Sequence, residues 1–176
     1  SFFTISFGVV LGIAYSGNLI TMYFFYELLT MATLPLVMHA MDKKASSAGK
    51  KYVAYSISGA SFGFIAIMLL MNYGTSLDFV FGGILDPTLV SGMENLLLVG
   101  FILAFFGFGI KAAIFPFFDW LPSAGVAPTP VSALLHAVAV VNAGIFAIIR
   151  VTFYNFGTDF LRGTWAQYIV MGATIV

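Results

Sequence analysis

The chain contains no cysteine. That removes disulfides, thiolate-held iron–sulfur clusters and cysteine-type zinc sites together, although it does not fix a compartment, because membrane helices need no staples. Charge is nearly as scarce. Only 8% of the 176 residues are charged, where a soluble domain carries about a quarter. Seven cations balance seven acids for a net charge of zero, so no basic surface calls for nucleic acid. No glycine-rich phosphate loop, metal-ligand cluster or nucleophile–base triad can be read, and no signal peptide. What fills the chain is apolar: 61% hydrophobic residues, 20 of them phenylalanine, with a mean hydropathy of +1.04. Such a composition cannot cover itself in water and belongs in a bilayer. The sequence begins inside one apolar run and stops inside another, so it is expected to be a fragment of a longer polytopic protein.

The few charges divide the chain into spans. Residues 1–41 hold one, Glu27, and at ~1.5 Å per residue this stretch is too long for one crossing of a ~30 Å core. Ser16-Gly17-Asn18 is its only polar turn, which predicts helices over about 1–15 and 18–40. Asp42 to Lys51 reads as a loop carrying Lys43, Lys44, Lys50 and Lys51. A charge-free helix follows at about 52–73. Residues 74–94, with Asp78, Asp86, Pro87 and Glu94, read as a second loop lying on the surface. A helix over about 95–122 contains Lys111 and Pro116, and one over about 130–153 starts with Thr129 as N-cap and Pro130 in its first turn. A sixth begins near Gly163. The expected architecture is a single all-α transmembrane bundle. By the lysine excess, the 42–51 loop should be cytoplasmic; Arg150 and Arg162, at the opposite end, count mildly against that orientation. The membrane expected is a prokaryotic inner or plasma membrane.

Three ionisable residues fall inside spans: Glu27, Lys111 and His136. A charge at bilayer depth costs from ~2.5 kcal/mol upward unless paired or hydrated. Glu27 can be a structural carboxyl bonded to a neighbouring hydroxyl, or a relay carboxylate. Lys111 is ~11 residues, or ~16 Å at helical rise, from the end of its helix, which is far for snorkelling. Pro116 lacks an N–H and crowds the carbonyl of Ala112, so the helix should break near 112–116, beside Lys111. Broken backbone at depth is tolerated where it is buried or lines a wet cavity. His136 is either a hydrogen-bonded core histidine or a proton shuttle. His39 reads as interfacial. Asn142 places a neutral amide at depth, where it bridges helices or holds water. Asp119-Trp120-Leu121-Pro122 reads as an interfacial helix end.

Two segments carry a resemblance. Lys111-Ala-Ala-Ile-Phe-Pro-Phe-Phe-Asp-Trp-Leu-Pro-Ser-Ala, followed by Ala127-Pro-Thr-Pro-Val-Ser-Ala-Leu-Leu-His136-Ala, resembles the signature of the antiporter-like subunits. These occur in respiratory complex I, in Mrp-type multisubunit Na⁺/H⁺ antiporters and in membrane-bound hydrogenases. Glu27, in its Tyr-Glu-Leu context, resembles the family's mid-helix glutamate. The resemblance implies the first five-helix half of an inverted-repeat fold with one broken helix. It also implies that Glu27 and Lys111 form a coupling pair, and that His136 lies between half-channels. Where this chain has Asn142, many members carry Lys, and others are neutral.

The function so implied is translocation of H⁺, in exchange for Na⁺ in some members. The chain would act as one subunit of a larger membrane complex, with lipid and other membrane subunits as partners. No redox site or bound cofactor is expected in this chain; electron transfer would belong to partner subunits. Two other classes remain open. A scaffold that only anchors partners would scatter Glu27, Lys111 and His136 or seal them in apolar packing. A solute transporter would need a midplane pocket wider than a file of waters.

Overall fold

A computed structural model describes residues 1–175, and these are helical throughout apart from turns, the unwound stretch described below and two isolated bridges. Helix α1 spans Phe2–Ala14, α2 Leu19–Val37, α3 Lys43–Tyr73, α4 Pro87–Val90 and α5 Glu94–Gly109. The short α6, Trp120–Ala124, follows the unwound stretch. One long element then runs from Thr129 to Phe156, made of α7 (Thr129–Ala133), a π-turn (Leu134–Val138), α8 (Val140–Arg150) and a second π-turn (Val151–Phe156). Helix α9, Thr158–Leu161, and α10, Trp165–Ile175, close the described chain. Leu19–Val37, Lys43–Tyr73 and Thr129–Phe156 are each long and apolar enough to cross a membrane; Phe2–Ala14 and Glu94–Gly109 are shorter apolar helices.

Caps decide several boundaries. Asn18 accepts from the Thr21 amide at 2.8 Å and starts α2. Asp42 does the same for Ala45 at 2.6 Å, and this corrects the expected loop at 42–51. Those residues are the first turns of α3. Lysine and alanine are good helix formers, and Ala45, Ala48, Gly49 and Tyr52 give the segment a buried face. The lysines mask this periodicity; Lys43, Lys44 and Lys50 are exposed on the other face. Thr129 is not the cap of the last long element: Pro128 holds that position and makes no side-chain bond.

The 74–94 loop folds back on the bundle. Thr75 and Ile84 pair through their backbones, and Asp86 starts α4 by accepting from the Thr88 amide and hydroxyl. Those two bonds hold the Asp86 carboxyl below the usual carboxylate range. Loop amides of Gly82 and Ile84 donate to the carbonyls of Phe153 and Asn155 at 3.2 and 2.9 Å, within the second π-turn. A π-turn changes backbone pairing, and here the loop supplies the donors.

Helices α3 and α5 cross with their backbones in contact at glycines. A Cβ on Gly59 would lie 2.6 Å from the Gly107 carbonyl oxygen, and one on Gly107 would lie 2.7 Å from the Gly63 amide nitrogen. Glycine therefore lets the two backbones touch, as small residues do in lipid, where tight packing replaces the hydrophobic drive. This crossing sets the position of the end of α5, and so of Lys111 two residues later. Gly107→Ala, which pushes backbone against backbone, is expected to cost about 1–3 kcal/mol, read as a lowered unfolding midpoint in detergent. Gly8→Ala, whose Cβ meets nothing within 4 Å, should leave the midpoint within about 0.5 kcal/mol of the parent or raise it.

Candidate functional site

Helix α5 stops at Gly109, and α6 begins only at Trp120. The interruption is wider than the 112–116 expected from Pro116 alone. The cause is visible in the carbonyl accounting. A helix end buried in a bilayer cannot give its last carbonyls to bulk water. Here the Phe108 carbonyl accepts from the Tyr26 hydroxyl at 2.7 Å. The Gly109 carbonyl accepts from the Ile114 amide at 3.2 Å. The Ile110 carbonyl accepts from both the Ala113 amide and the indole N–H of Trp120, at 3.0 and 2.7 Å. Ala113 turns the chain at φ +55°, a left-handed conformation that a non-glycine residue adopts only when its surroundings impose it. Asp119-Trp120 is accordingly no interfacial end of a continuous helix. Trp120 is 1% exposed and clamps the unwound stretch, its ring 5.2 Å from that of Tyr52. Asp119 pairs with Lys51, which also donates to the Ser123 hydroxyl at 3.0 Å.

The break delivers Lys111 into the bundle. Its side chain is 1% exposed, so it does not snorkel. The ammonium donates to the Tyr26 carbonyl, sits 3.6 Å from the centroid of the Tyr26 ring, and lies 3.7 Å from Glu27 Oε1. Two consecutive residues of α2 thus supply a carbonyl dipole, a π face and a carboxylate. At 3.7 Å and an effective dielectric of ~20, the Glu27–Lys111 attraction is about 4 kcal/mol, enough to offset much of what burial of the two charges costs.

Glu27 is 27% exposed, and the reading in which it bonds a neighbouring hydroxyl does not hold. Its Oε1 is buried with no hydrogen-bond partner, as is the Thr30 hydroxyl one turn further along α2. Beyond them, Thr33 and Tyr52 share a hydrogen bond of 2.7 Å in the α2–α3 contact. Tyr26, Thr33, Tyr52 and Trp120 carry no sequence signal of these roles. Aromatic and hydroxyl residues are common in membrane helices, and only the polar break at Lys111 hints that something must satisfy it.

The remaining expected residues are placed apart from the pair. His136 lies in the first π-turn and is exposed on the outside of the described bundle, so it is not a core histidine here. Asn142 is also exposed, and its amide donates to the Ala137 carbonyl at 2.8 Å rather than to a neighbouring helix. The long element does reach the site: a Cβ on Gly144 would lie 2.5 Å from the Ala112 amide nitrogen, beside Lys111. His39 is exposed in the α2–α3 turn. Among the described residues no three His, Asp or Glu side chains converge as a metal site.

Comparison with known proteins places this geometry. The family described as NADH:quinone oxidoreductase/Mrp antiporter, transmembrane, matches residues 16–176. A Na⁺/H⁺ antiporter subunit of Alkalihalophilus pseudofirmus is 36% identical over 148 residues, which are 82% of this chain and 18% of that protein. Chain 5 of the NAD(P)H-quinone oxidoreductase of Picosynechococcus is 34% identical over 145 residues, 80% of this chain and 22% of its own length. Among solved structures, the respiratory complex I of Thermus thermophilus superposes with a TM-score of 0.67 at 25% identity, covering 81% of this chain and 31% of the matched one. The archaeal membrane-bound sulfane sulfur reductase superposes at 0.79 over 98% of this chain and 34% of its own, with 21% identity, a likeness of fold. The chain therefore spans about a fifth of the length of these two curated relatives.

Each single substitution strands a charge, and the more buried one should cost more. Glu27→Ala leaves the Lys111 ammonium, 1% exposed, without its counterion and is expected to cost about 3–5 kcal/mol, whereas Lys111→Met leaves a carboxylate that is 27% exposed and is expected to cost less. Thermal or denaturant midpoints in detergent separate the two. Losses under about 1 kcal/mol in both variants would mean that the attraction across 3.7 Å contributes little. Tyr26→Phe, which strips the donor from the Phe108 carbonyl, is expected to cost about 1–3 kcal/mol.

Proposed function

Because the chain belongs to the NADH:quinone oxidoreductase/Mrp antiporter transmembrane family, we propose that it moves protons across a membrane as one part of an antiporter-like subunit. The observation that carries this reading is a lysine, 1% exposed at a broken helix, 3.7 Å from a glutamate oxygen that accepts no hydrogen bond. Lys111 holds a proton while Glu27 is near and releases it as the pair loosens, since the carboxylate stabilises the ammonium. Glu27 Oε1 and the Thr30 hydroxyl, buried without a hydrogen bond, are suited to water, which passes the proton on. His136 is the next carrier, since an imidazole both takes and gives a proton, and Asn142 contributes an amide rather than a titrating group to that segment. Exchange against Na⁺ is the variant of this reading that the antiporter relatives suggest.

The protein is an integral membrane protein, and its relatives are subunits of multisubunit membrane complexes. That this chain works beside further membrane subunits of its own, with redox chemistry in its partners, belongs to the same proposal. So does its sidedness. The lysine-bearing start of α3 faces the cytoplasm of a prokaryotic cell by the positive-inside rule.

The scaffold reading makes a different forecast. In the assembled complex reconstituted in vesicles, Glu27→Gln and Lys111→Ala are each expected to slow proton transfer at least ~10-fold, the size of one lost charge-assisted interaction, while assembly is retained. Complete assembly with unchanged transfer in both variants would leave only the scaffold. Repeating the assay with and without Na⁺ decides between H⁺ movement alone and exchange. For sidedness, an impermeant amine reagent should modify Lys43 and Lys44 in inside-out but not right-side-out vesicles.

A further inference from the structure

We infer that Asn142 is a positioning residue: its amide holds open the π-turn at Leu134–Val138 and so sets where His136 points. The inference rests on the reading of His136 as a proton carrier and goes beyond it in saying what places that carrier. The long element departs from regular helix at this turn, where the Ala139 amide donates to the Leu134 carbonyl, five residues back, at 2.8 Å. Regular pairing has resumed when the Ala143 amide donates to the Ala139 carbonyl, four residues back, at 2.9 Å. Between these two bonds the pairing slips by one residue, and a slip in that direction leaves a carbonyl without an amide donor. Asn142 Nδ2 donates at this junction, to the Ala137 carbonyl at 2.8 Å, from five residues away. Ala137 is the neighbour of His136.

The second π-turn of the same element shows the alternative. There the carbonyls of Phe153 and Asn155 receive loop amides from Gly82 and Ile84, and the helix needs no side chain of its own. No such loop reaches the first turn among the described residues, and the donor comes from Asn142. An amide on an outer helix face is a poor choice for lipid unless it is bonded; this one is bonded to its own backbone. The consequence for His136 is geometric. Closing the turn into regular helix would shift the pairing by one residue and rotate everything before it by about 100° relative to α8. His136 would move with it, while Gly144 stayed against Ala112.

The test uses the assembled complex in vesicles, with Asn142→Leu, Asn142→Gln, His136→Gln and the double variant Asn142→Leu/His136→Gln, and structure determination of Asn142→Leu. Asn142→Leu removes the donor at similar volume and is expected to slow proton transfer about five-fold, the effect of one neutral hydrogen bond. Asn142→Gln keeps a donor and should recover most of the rate. The double variant should be no slower than His136→Gln alone, because the amide acts only through the histidine. The Asn142→Leu structure should show a regular helix through 134–138. A retained π-turn in that structure, no recovery with Asn142→Gln, or losses that multiply in the double variant would each overturn the inference. A silent His136→Gln together with a closed turn would instead remove the proton role of His136 and leave the positioning intact.

Discussion

A lysine ammonium 1% exposed in an apolar bundle has few neighbours that can stabilise it, and the local structure is arranged around meeting that demand. Unpaired at bilayer depth, the charge would cost several kcal/mol. Tyr26 gives it a carbonyl and a ring face, and Glu27 gives it a carboxylate at 3.7 Å. These groups reach it only because α5 ends at Gly109 and the chain beyond turns inward. The broken end in turn exposes carbonyls that the bilayer cannot satisfy, so Tyr26 and Trp120 are drawn in as donors. Tyr26 therefore serves both problems, its hydroxyl on the helix end and its ring and carbonyl on the ammonium. The glycine crossing of α3 and α5 fixes where the end of α5 sits in the bundle.

The same rule, that every backbone group must find a partner, recurs along the last long element. Its two π-turns meet it by different means, one with a side chain of the same helix and one with a loop folded back from residues 82–84. Departures from regular helix cluster where charged or polar residues must be presented: at Lys111, at His136 and at the loop-bearing end beside Arg150. Arg150 itself sits 5.0 Å from the ring centroids of Phe79, Phe146 and Tyr154, so aromatic faces meet a cation there too.

Much of the fold is legible because a bilayer simplifies the reading: apolar runs separated by rare charges mark helices, and Pro116 marks a break. The failures have physical causes. Lys43 to Lys51 reads as a loop if charge density is assumed to end a helix, whereas Lys43, Lys44 and Lys50 occupy the outer face of an amphipathic start whose other face is Ala45, Ala48, Gly49 and Tyr52. Thr129 reads as a cap, but the helix begins one residue earlier than such a cap allows. The break is wider than proline alone demands, because Trp120 and Tyr26 satisfy the carbonyls of an unwound segment. Neither has a sequence signature of that role.

By itself, the sequence determined the class of the protein, the approximate spans, and the identity of the charges that had to be buried. Composition and hydropathy act locally, and the cost of a charge in lipid does not depend on which helix faces it. Only the tertiary structure decided what answers each demand. The choice of Tyr26 and Glu27 as partners of Lys111, the lack of a hydrogen bond at Glu27 Oε1 and the Thr30 hydroxyl, and the placement of His136 on the exposed side of a π-turn all depend on how helices distant in sequence pack. Asn142 shows the limit most directly. An amide at depth can bond across to a neighbour, hold water or bond its own helix, and its chemistry is the same in all three cases. Here it bonds its own helix, at the carbonyl of Ala137 in the turn before it, which only the folded backbone brings within reach.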